Sequence, residues 1–290
     1  MELTVVTQNL KLGALRSADG DPQGRWPLLV ERILAAAERV DVVMLCEVVD
    51  WHRYGHKQLV RALCDLGLDA APLAPSRSGI GTALLFRRET MGHWVRHNPD
   101  FASETLHGFA VTSFDVGLPA PLSFVPVHLT PFDADAALSE ANLVASRAHK
   151  YGPFAVVSGD CNYPPASARN PLPDHAAMRA YNAGSRTLLP AGDVTPGTAP
   201  EPDRRVARKL AQNGLVDVAW HLFEQTGDHR LLARTGTDDR IDQAWVSSPL
   251  AGAVSNYRLL DRPEGASDHH GLVFRIDTDN VDTTDPWARR

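Results

Sequence analysis

Short motifs of acids, amides and histidines stand at the ends of several apolar runs. In order along the chain they are Thr7-Gln8-Asn9-Leu10, Leu45-Cys46-Glu47-Val48, Val127-His128-Leu129, Ser158-Gly159-Asp160-Cys161-Asn162, Arg240-Ile241-Asp242-Gln243 and Ser267-Asp268-His269-His270. Carboxylate oxygens, amide donors and imidazoles gathered from distant strands are the groups that metal-assisted attack on phosphorus requires. Each motif alone is typical of a turn or a cap, but their joint occurrence predicts an enzyme.

Glu47 and Asp268 are the candidate metal ligands. Magnesium keeps several waters and takes only one or two protein carboxylates, whereas zinc would require a compact cluster of histidine or cysteine. The predicted cofactor is therefore Mg²⁺, for which Mn²⁺ can substitute.

Two residue pairs and a lone histidine supply the remaining chemistry. Asp160 lies two positions before Asn162, so strand alternation would place an acid that activates water beside an amide that donates to a phosphoryl oxygen. Asp242 and His269 are interpreted as a carboxylate–imidazole pair in which the acid favours the charged ring. His128 provides a second imidazole.

Apolar periodicity predicts the elements that must position these groups. Strands are predicted over residues 3–10, 42–45, 82–86, 109–116, 122–127, 154–158, 243–247, 253–259 and 272–276. Helices are predicted over residues 26–40, 56–66, about 133–149 and 204–213, the second closed by Gly67 as a C-terminal cap. This mixture favours a two-sheet core flanked by helices.

Length and composition favour one domain over residues 1–277, followed by a polar C-terminal tail over 278–290. Residues 163–202 are rich in proline and glycine, which indicates either disorder or a functional loop beside the site. We favour the loop because the segment directly follows Asn162.

The three cysteines, Cys46, Cys64 and Cys161, form no disulfide framework and are each expected to be small buried apolar residues. With no secretory signal and no membrane-length apolar stretch, we expect a cytoplasmic protein that does not span a membrane.

The net charge of −6, from 35 acidic and 29 basic side chains, does not provide the field of a tight non-specific nucleic-acid binder. It favours a small phosphorylated partner, although a nuclease with few phosphate contacts stays an alternative. Arg87 at a strand end is a candidate phosphate clamp in substrate binding, with a solvated strand end as the other interpretation. Oligomeric state is left open.

The motifs resemble those of the endonuclease/exonuclease/phosphatase superfamily, in the family's order and over almost the whole chain. Ser267-Asp268-His269 and Gly159-Asp160-Cys161-Asn162 are the most specific pieces, and the segment from Val127 to Ala134 looks closest to the deoxyribonuclease branch. Cys46 and Cys161 depart from the usual residues without removing a catalytic group. The resemblance implies an α/β fold, a four-layered α/β sandwich with two central mixed β-sheets flanked by helices.

By motif position, the resemblance implies that Asn9 helps to hold the phosphate or the metal. Glu47 would bind the metal, and Asp268 would be an acid on the metal side.

The same resemblance implies the catalytic roles. His128 would contact or protonate a phosphate oxygen, Asp160 would orient or activate water, and Asn162 would bind phosphate as well. Asp242 would pair with His269.

These observations predict a Mg²⁺-dependent hydrolase of phosphoester bonds in which water attacks phosphorus directly. The predicted substrate is a small phosphorylated metabolite or nucleotide-like compound. The alternatives are a DNA or RNA endonuclease or exonuclease and, with less support, a phosphate-binding module without turnover. A binding module that has lost turnover normally has a substituted acid or histidine. In this sequence Glu47, Asp160, Asp242, Asp268 and His269 are all present.

Overall fold

Two six-stranded β-sheets are built from strands distributed along the whole chain. A computed structural model describes residues 1–14, 24–175, 177–188, 200–262 and 265–284. Strands β1 to β14 are Glu2–Asn9, Val42–Cys46, Asp69–Ala70, Thr82–Phe86, Trp94–Asn98, Val111–Phe114, Leu122–His128, Ala155–Asp160, Thr187–Leu188, Glu201–Pro202, Leu215–Asp217, Asp242–Ser247, Val254–Leu259 and Leu272–Asp277. Helices α1 to α7 are Trp26–Leu34, Lys57–Leu66, Arg88–Met91, Ala134–Ala148, Ala180–Arg186, Arg205–Gln212 and Val218–Thr226. Within these ranges no helix has the length and apolar character needed to cross a membrane.

The first sheet has the strand order β13-β14-β1-β2-β4-β3. Strand β1 pairs parallel with β2 and antiparallel with β14. Because Asn9 at the end of β1 is in register with Cys46 at the end of β2, Glu47 follows at the same edge of the sheet.

The second sheet has the order β11-β12-β8-β7-β6-β5. Strands β7 and β8 are parallel, with His128 beside Asp160, and β12 runs antiparallel to β8, with Asp242 beside Asp160. Three predicted site residues therefore lie in a row on adjacent strands.

The alternation of side chains along β2 shows how the layers pack. Val42 and Met44 belong to the apolar cluster between the two sheets, whereas Val43 and Leu45 belong to a second cluster with α1 and α2 on the outer face. A third cluster joins β7 and β8 to α4 and α6. The layers are thus helix, sheet, sheet and helix, and the predicted four-layered sandwich is confirmed.

Most predicted elements appear within a few residues of their expected bounds. β4 spans the predicted residues 82–86, and Gly67 caps α2 in the left-handed conformation with φ 63°. The predicted helix over 26–40 is too long, since α1 ends at Leu34. Its expected last turns become a loop because Asp41 is drawn beside β1, where its N–H donates to the Thr4 carbonyl and its carboxylate accepts from the Thr4 N–H.

Eight elements were not predicted: β3, β5, β9, β10, β11, α3, α5 and α7. β5 is a sheet edge whose side chains are half-buried or exposed, and so it lacks the apolar alternation that marks a strand. β11 is three residues long and runs directly into α7, for which Asp217 is the N-cap.

The segment 163–202 is partly ordered, contrary to the disorder alternative. It contains α5 and the antiparallel pair β9–β10, and Tyr163 and Asn170 within it are buried. Residues 176 and 189–199 of this segment lie outside the described ranges.

Two smaller expectations also have outcomes. Cys64 is exposed, so the prediction that all three cysteines are buried was wrong for this one, which lies on the solvent side of α2. The predicted tail begins with a 3₁₀ turn, Thr278–Asn280, whose first N–H donates to the Met1 carbonyl. Residues 285–290 lie outside the described ranges, and a single domain over 1–277 stays a prediction.

Gly159 generates a stability prediction because β7 and β8 approach each other there without space for a side chain. It has φ 154°, and a Cβ would lie 1.8 Å from the Val127 carbonyl oxygen and 3.0 Å from the Cys46 Sγ. We expect Gly159→Ala to reduce the free energy of unfolding by about 2–4 kcal/mol in urea denaturation. The matched control is Gly184→Ala in α5, where nothing lies within 4 Å of the added Cβ. Equal effects of the two changes would contradict this account.

Candidate active site

The ends of the central strands of both sheets meet at one edge of the sandwich. The Thr7 hydroxyl of β1 lies 2.7 Å from the Ser158 hydroxyl of β8, which links the two sheets beneath this edge. One step beyond, the Asn9 amide lies 3.1 Å from the Asp160 carboxylate. The side chains of residues 9, 47, 128, 160, 242 and 269 lie together at this edge.

The Asn9 amide is the junction between two carboxylates. Its Nδ2 donates to Oε1 of Glu47 and to Oδ2 of Asp160, both at 3.1 Å, and its Oδ1 accepts from the Lys11 N–H at 2.9 Å. Exchanging the amide oxygen and nitrogen would set an oxygen against the two carboxylates and an N–H against the Lys11 N–H, so this network fixes the orientation. Asn9 therefore acts here as a donor that holds two acids in place.

Glu47 occupies an unusual backbone conformation. Its φ is 61°, in the left-handed region that is costly for a residue with a long side chain. The turn lets Oε1 face Asn9 while Oε2 accepts from the Leu12 N–H at 2.7 Å. Such strain concentrates where geometry serves a site.

Glu47, Asp160 and His128 form a group that could hold a metal ion, with one ligand atom from each within 4.8 Å of the others. Two carboxylates with an amide neighbour suit a hard, oxygen-preferring cation. Asp268 lies outside the metal-capable groups of the described residues. Its carboxylate is half-exposed, and the Lys11 ammonium lies 3.5 Å from its Oδ2. Asp160 thus stands where the sequence predicted Asp268, and Asp268 as a ligand stays a prediction.

Asp242 and His269 form the expected pair. His269 Nδ1 lies 2.8 Å from Oδ2 of Asp242 and 3.9 Å from Oδ2 of Asp160. Burial favours the neutral ring, but the Asp242 charge and hydrogen bond outweigh it, and with Asp160 and Asp268 they raise the pKa of His269 to about 10. Burial also raises the pKa of Asp242, which the adjacent imidazolium opposes. The pair is a carboxylate with a protonated ring near neutral pH.

The serine of the Ser267-Asp268-His269 triplet anchors this pair to the first sheet. The Ser267 hydroxyl donates to the Asn9 carbonyl at 2.9 Å and accepts from the His269 N–H at 3.1 Å. The loop that carries His269 is thus fixed to the end of β1.

Asn162 differs from the expectation based on strand alternation. Strand β8 ends at Asp160, and Asn162 has φ 60°. Its Nδ2 donates to the Leu129 carbonyl at 2.8 Å, and its N–H donates to Oδ1 of Asp160 at 2.9 Å. Here Asn162 ties the ends of β7 and β8 together, and its contact with phosphate stays a prediction.

Arg87 lies at the wrong end of the first sheet, so its assignment as a phosphate clamp needs correction. Because β4 runs antiparallel to β2, Thr82 is beside Cys46 at the site edge and Phe86 is beside Val42 at the opposite edge. Arg87 follows Phe86 and donates from Nε to the Val40 carbonyl. A strand of this length places it about 15 Å away along the sheet.

Sequence reasoning missed three cationic or imidazole groups at this edge. Lys11 and Arg25 lie near Glu47 and Asp268, and Arg25 donates to the carbonyls of Ala266 and Lys11. His107, discussed below, stacks on His128. Lys11 could have been inferred from its place after the Asn9 motif, whereas Arg25 and His107 have no local pattern.

No protein-family model matches the sequence, and no curated protein matches it. Solved structures do match. An AP endonuclease from Archaeoglobus fulgidus has a TM-score of 0.62 at 15% identity over 95% of this chain and 100% of that chain. TDP2 from D. rerio complexed with single strand DNA product has 0.57 at 15%, over 96% and 99%.

An endonuclease/exonuclease/phosphatase family protein from Bacteroides thetaiotaomicron has a TM-score of 0.56 at 17% identity, over 95% and 97% of the two chains. This chain has the endonuclease/exonuclease/phosphatase fold. The resemblance drawn from the motifs is therefore confirmed for the fold, and the subfamily stays open.

The Asp242–His269 pair generates a prediction about stability and pH. The pKa of His269 is raised from an ordinary 6.5 to about 10, so the folded chain keeps a proton that the unfolded chain has lost. The wild type should be more stable than His269→Gln, and this difference in unfolding free energy should have its largest value below pH 6.5 and decrease as the pH rises towards 10. Urea denaturation over this range measures it, with the exposed His93→Gln as control. A difference independent of pH would contradict the ion pair.

Proposed function

We propose that this protein hydrolyses phosphoester bonds with the aid of a divalent cation, by direct attack of water on phosphorus. The observation that supports it most is the Asn9 amide holding Glu47 and Asp160 together while Asp160 also lies 3.9 Å from the ring of the Asp242–His269 pair. A cation-binding acid, a water-orienting acid and a protonated donor are thus neighbours. The fold shared with an AP endonuclease and TDP2 supports the same reaction class.

Glu47, with the Asn9 amide beside it, fits a hard cation and would hold Mg²⁺ or Mn²⁺, which leaves Asp160 to act on water. When bound, the cation would neutralise charge on the phosphoryl group and its oxygens. Without it the acids place negative charge at one edge, and Lys11, Arg25 and the His269 ring offset part of that charge.

Asp160 is the proposed base. Its Oδ2 lies 3.1 Å from Asn9 Nδ2 and 3.8 Å from His128 Nε2, and its Oδ1 accepts from the Asn162 N–H. It would orient water and take its proton as the water oxygen bonds to phosphorus. The bond from phosphorus to the leaving oxygen then breaks, and the leaving group departs with the electron pair of that bond.

His269 is the proposed donor to the phosphoryl oxygens. Since its Nδ1 proton is shared with Asp242, the Nε2 proton can be donated to the oxygen on which charge develops. His128 is buried, and burial lowers its pKa against the opposing charge of Asp160. His128 would therefore contact a phosphate oxygen as a neutral ring.

The proposal predicts a metal requirement that involves Glu47. Chelation should abolish turnover, Mg²⁺ or Mn²⁺ should restore it, and Glu47→Gln should weaken metal affinity in calorimetry at least about tenfold through loss of one ligand charge. The exposed Glu38→Gln is the matched control. Titration of Asp268→Asn decides whether that acid is also a ligand. Full activity in excess chelator would refute the metal role.

Two substrate classes are candidates. We propose a small phosphorylated compound first, because the chain carries 35 acidic against 29 basic side chains and nucleic-acid affinity depends on basic contacts to phosphates. Nucleic acid is the second candidate, supported by the AP endonuclease and the DNA-bound TDP2. Phe132, near the end of β7, also supports it, because its ring is 77% exposed and a base could stack on it.

We keep the cytoplasm as the proposed location, in which the exposed Cys64 thiol would stay reduced.

A comparison of kcat/KM at two salt concentrations discriminates the classes. We expect a small phosphoester to be turned over with higher kcat/KM than single-stranded or duplex DNA and with weak salt dependence. A duplex-tracking nuclease would instead lose affinity with a log–log slope of about −0.9 per neutralised phosphate. Phe132→Ala should impair only the nuclease reaction. Efficient plasmid nicking that collapses with salt, together with inert small phosphoesters, would reverse our choice.

A further inference from the structure

Two buried imidazoles lie face to face beside the proposed reaction site. The rings of His107 and His128 have centroids 3.9 Å apart and an angle of 6° between their planes. His107 is only 3% exposed and His128 only 8%. Nδ1 of His128 is buried without a hydrogen-bond partner. An unpaired buried polar atom costs about 1–3 kcal/mol, and the reaction proposed above makes no use of His107.

The stacked pair is not a metal site of its own. Imidazole nitrogen lone pairs lie in the ring plane, and two parallel planes this far apart do not let them converge on one ion at about 2.0–2.1 Å. In the described ranges, the metal-capable groups include His128 and leave out His107. The stacking of the two rings must therefore serve to place one ring relative to the other, and not to bind a metal ion.

Ser78 holds the His107 ring. The Ser78 Oγ lies 2.8 Å from Nδ1 of His107. The Ser78 N–H donates at 3.0 Å to the carbonyl of Leu106, the residue directly before His107. Gly108 permits this close approach of the two loops, because with φ 74° a Cβ there would lie 2.0 Å from the Pro75 carbonyl oxygen. The ring of His107 is thus fixed through both its side chain and its backbone.

Glu140 of α4 fixes the two histidine-bearing segments relative to each other. One carboxylate oxygen accepts from the Leu106 N–H at 2.7 Å, and the other accepts from the Thr130 N–H at 2.8 Å. Leu106 precedes His107 directly, and Thr130 follows His128 by two positions. Glu140 is 5% exposed, and a carboxylate buried this deeply is retained only with such donors. It therefore bridges the two segments directly beside the stack.

We propose that His107 is a positioning residue for His128: held by Ser78 and by the Glu140 bridge, it sets the plane of the His128 ring beside Asp160. The inference rests on the proposed function, in which His128 contacts a phosphate oxygen. A stacked planar neighbour prevents rotation of His128 about its side-chain bonds, so the ring meets the phosphoryl group in one orientation. His107 itself touches neither the substrate nor the reacting atoms.

Kinetics provide the first test. His107→Ala should lower kcat at least about tenfold with KM changed less than about twofold, since misplacement of a catalytic group affects the transition state more than binding. His107→Phe retains a planar ring and should recover part of the loss. In the His128→Ala background, His107→Ala should cost little more. The matched control is His93→Ala, which removes an exposed histidine. Multiplicative losses in the double variant would overturn the proposal.

Nitrogen NMR of the histidine rings provides a second test that needs no turnover. In His107→Ala the ring resonances of His128 should shift or broaden, and those of His269 should keep their positions. Should His107→Ala fail to fold, Ser78→Ala removes only the 2.8 Å hydrogen bond and should produce a smaller change of the same kind. Unchanged His128 resonances in a folded variant overturn the proposal. If the wild type hydrolyses no phosphoester, the proposed function fails and these spectra alone decide the positioning role.

Discussion

A single side-chain amide sets the spacing of the two sheets where the chemistry is expected. Asn9 belongs to the first sheet, and its two N–H groups go to one carboxylate at the end of its own sheet and one from the facing sheet. Neutral amide donors can hold two acids close without adding charge of their own. The other groups at the edge are arranged around this contact. The Ser267 hydroxyl donates to the Asn9 carbonyl and fixes the loop that carries His269. The Lys11 N–H donates to the Asn9 side-chain oxygen.

The same contact leaves an electrostatic imbalance in a partly buried region. Asp160 and Asp242 are neighbours on adjacent strands, and Glu47 approaches from the other sheet. Like charges at this range oppose ionisation, and the fold compensates with one imidazolium and the more distant Lys11 and Arg25. The divalent cation proposed for this edge would offset that imbalance. Stability and function therefore oppose each other at this edge, as is usual for strained and charged sites.

The sequence predicted which strands end at the site better than it predicted the direction of each strand. Val42–Cys46 and Thr82–Phe86 are both continuous apolar runs, and both were recognised. Only the pairing register shows that the second runs away from the site, which is why Arg87 was misassigned. His107 could not be found because a lone histidine before a glycine carries no periodic signal. Its significance comes from Ser78 and Glu140, which are distant in the chain.

Strand order also has a consequence for the synthesis of the chain. Strand β1 leaves the ribosome before the other strands, but its neighbours in the sheet are β2 and, far later, β14. The Ser267–Asn9 contact joins residues 258 positions apart. Until β14 emerges, β1 presents an apolar edge with unpaired N–H and carbonyl groups, a feature that invites wrong pairing. The nascent chain thus lacks part of the site until residues 267–269 are made, and β1 keeps this open edge while the chain between β2 and β14 is translated.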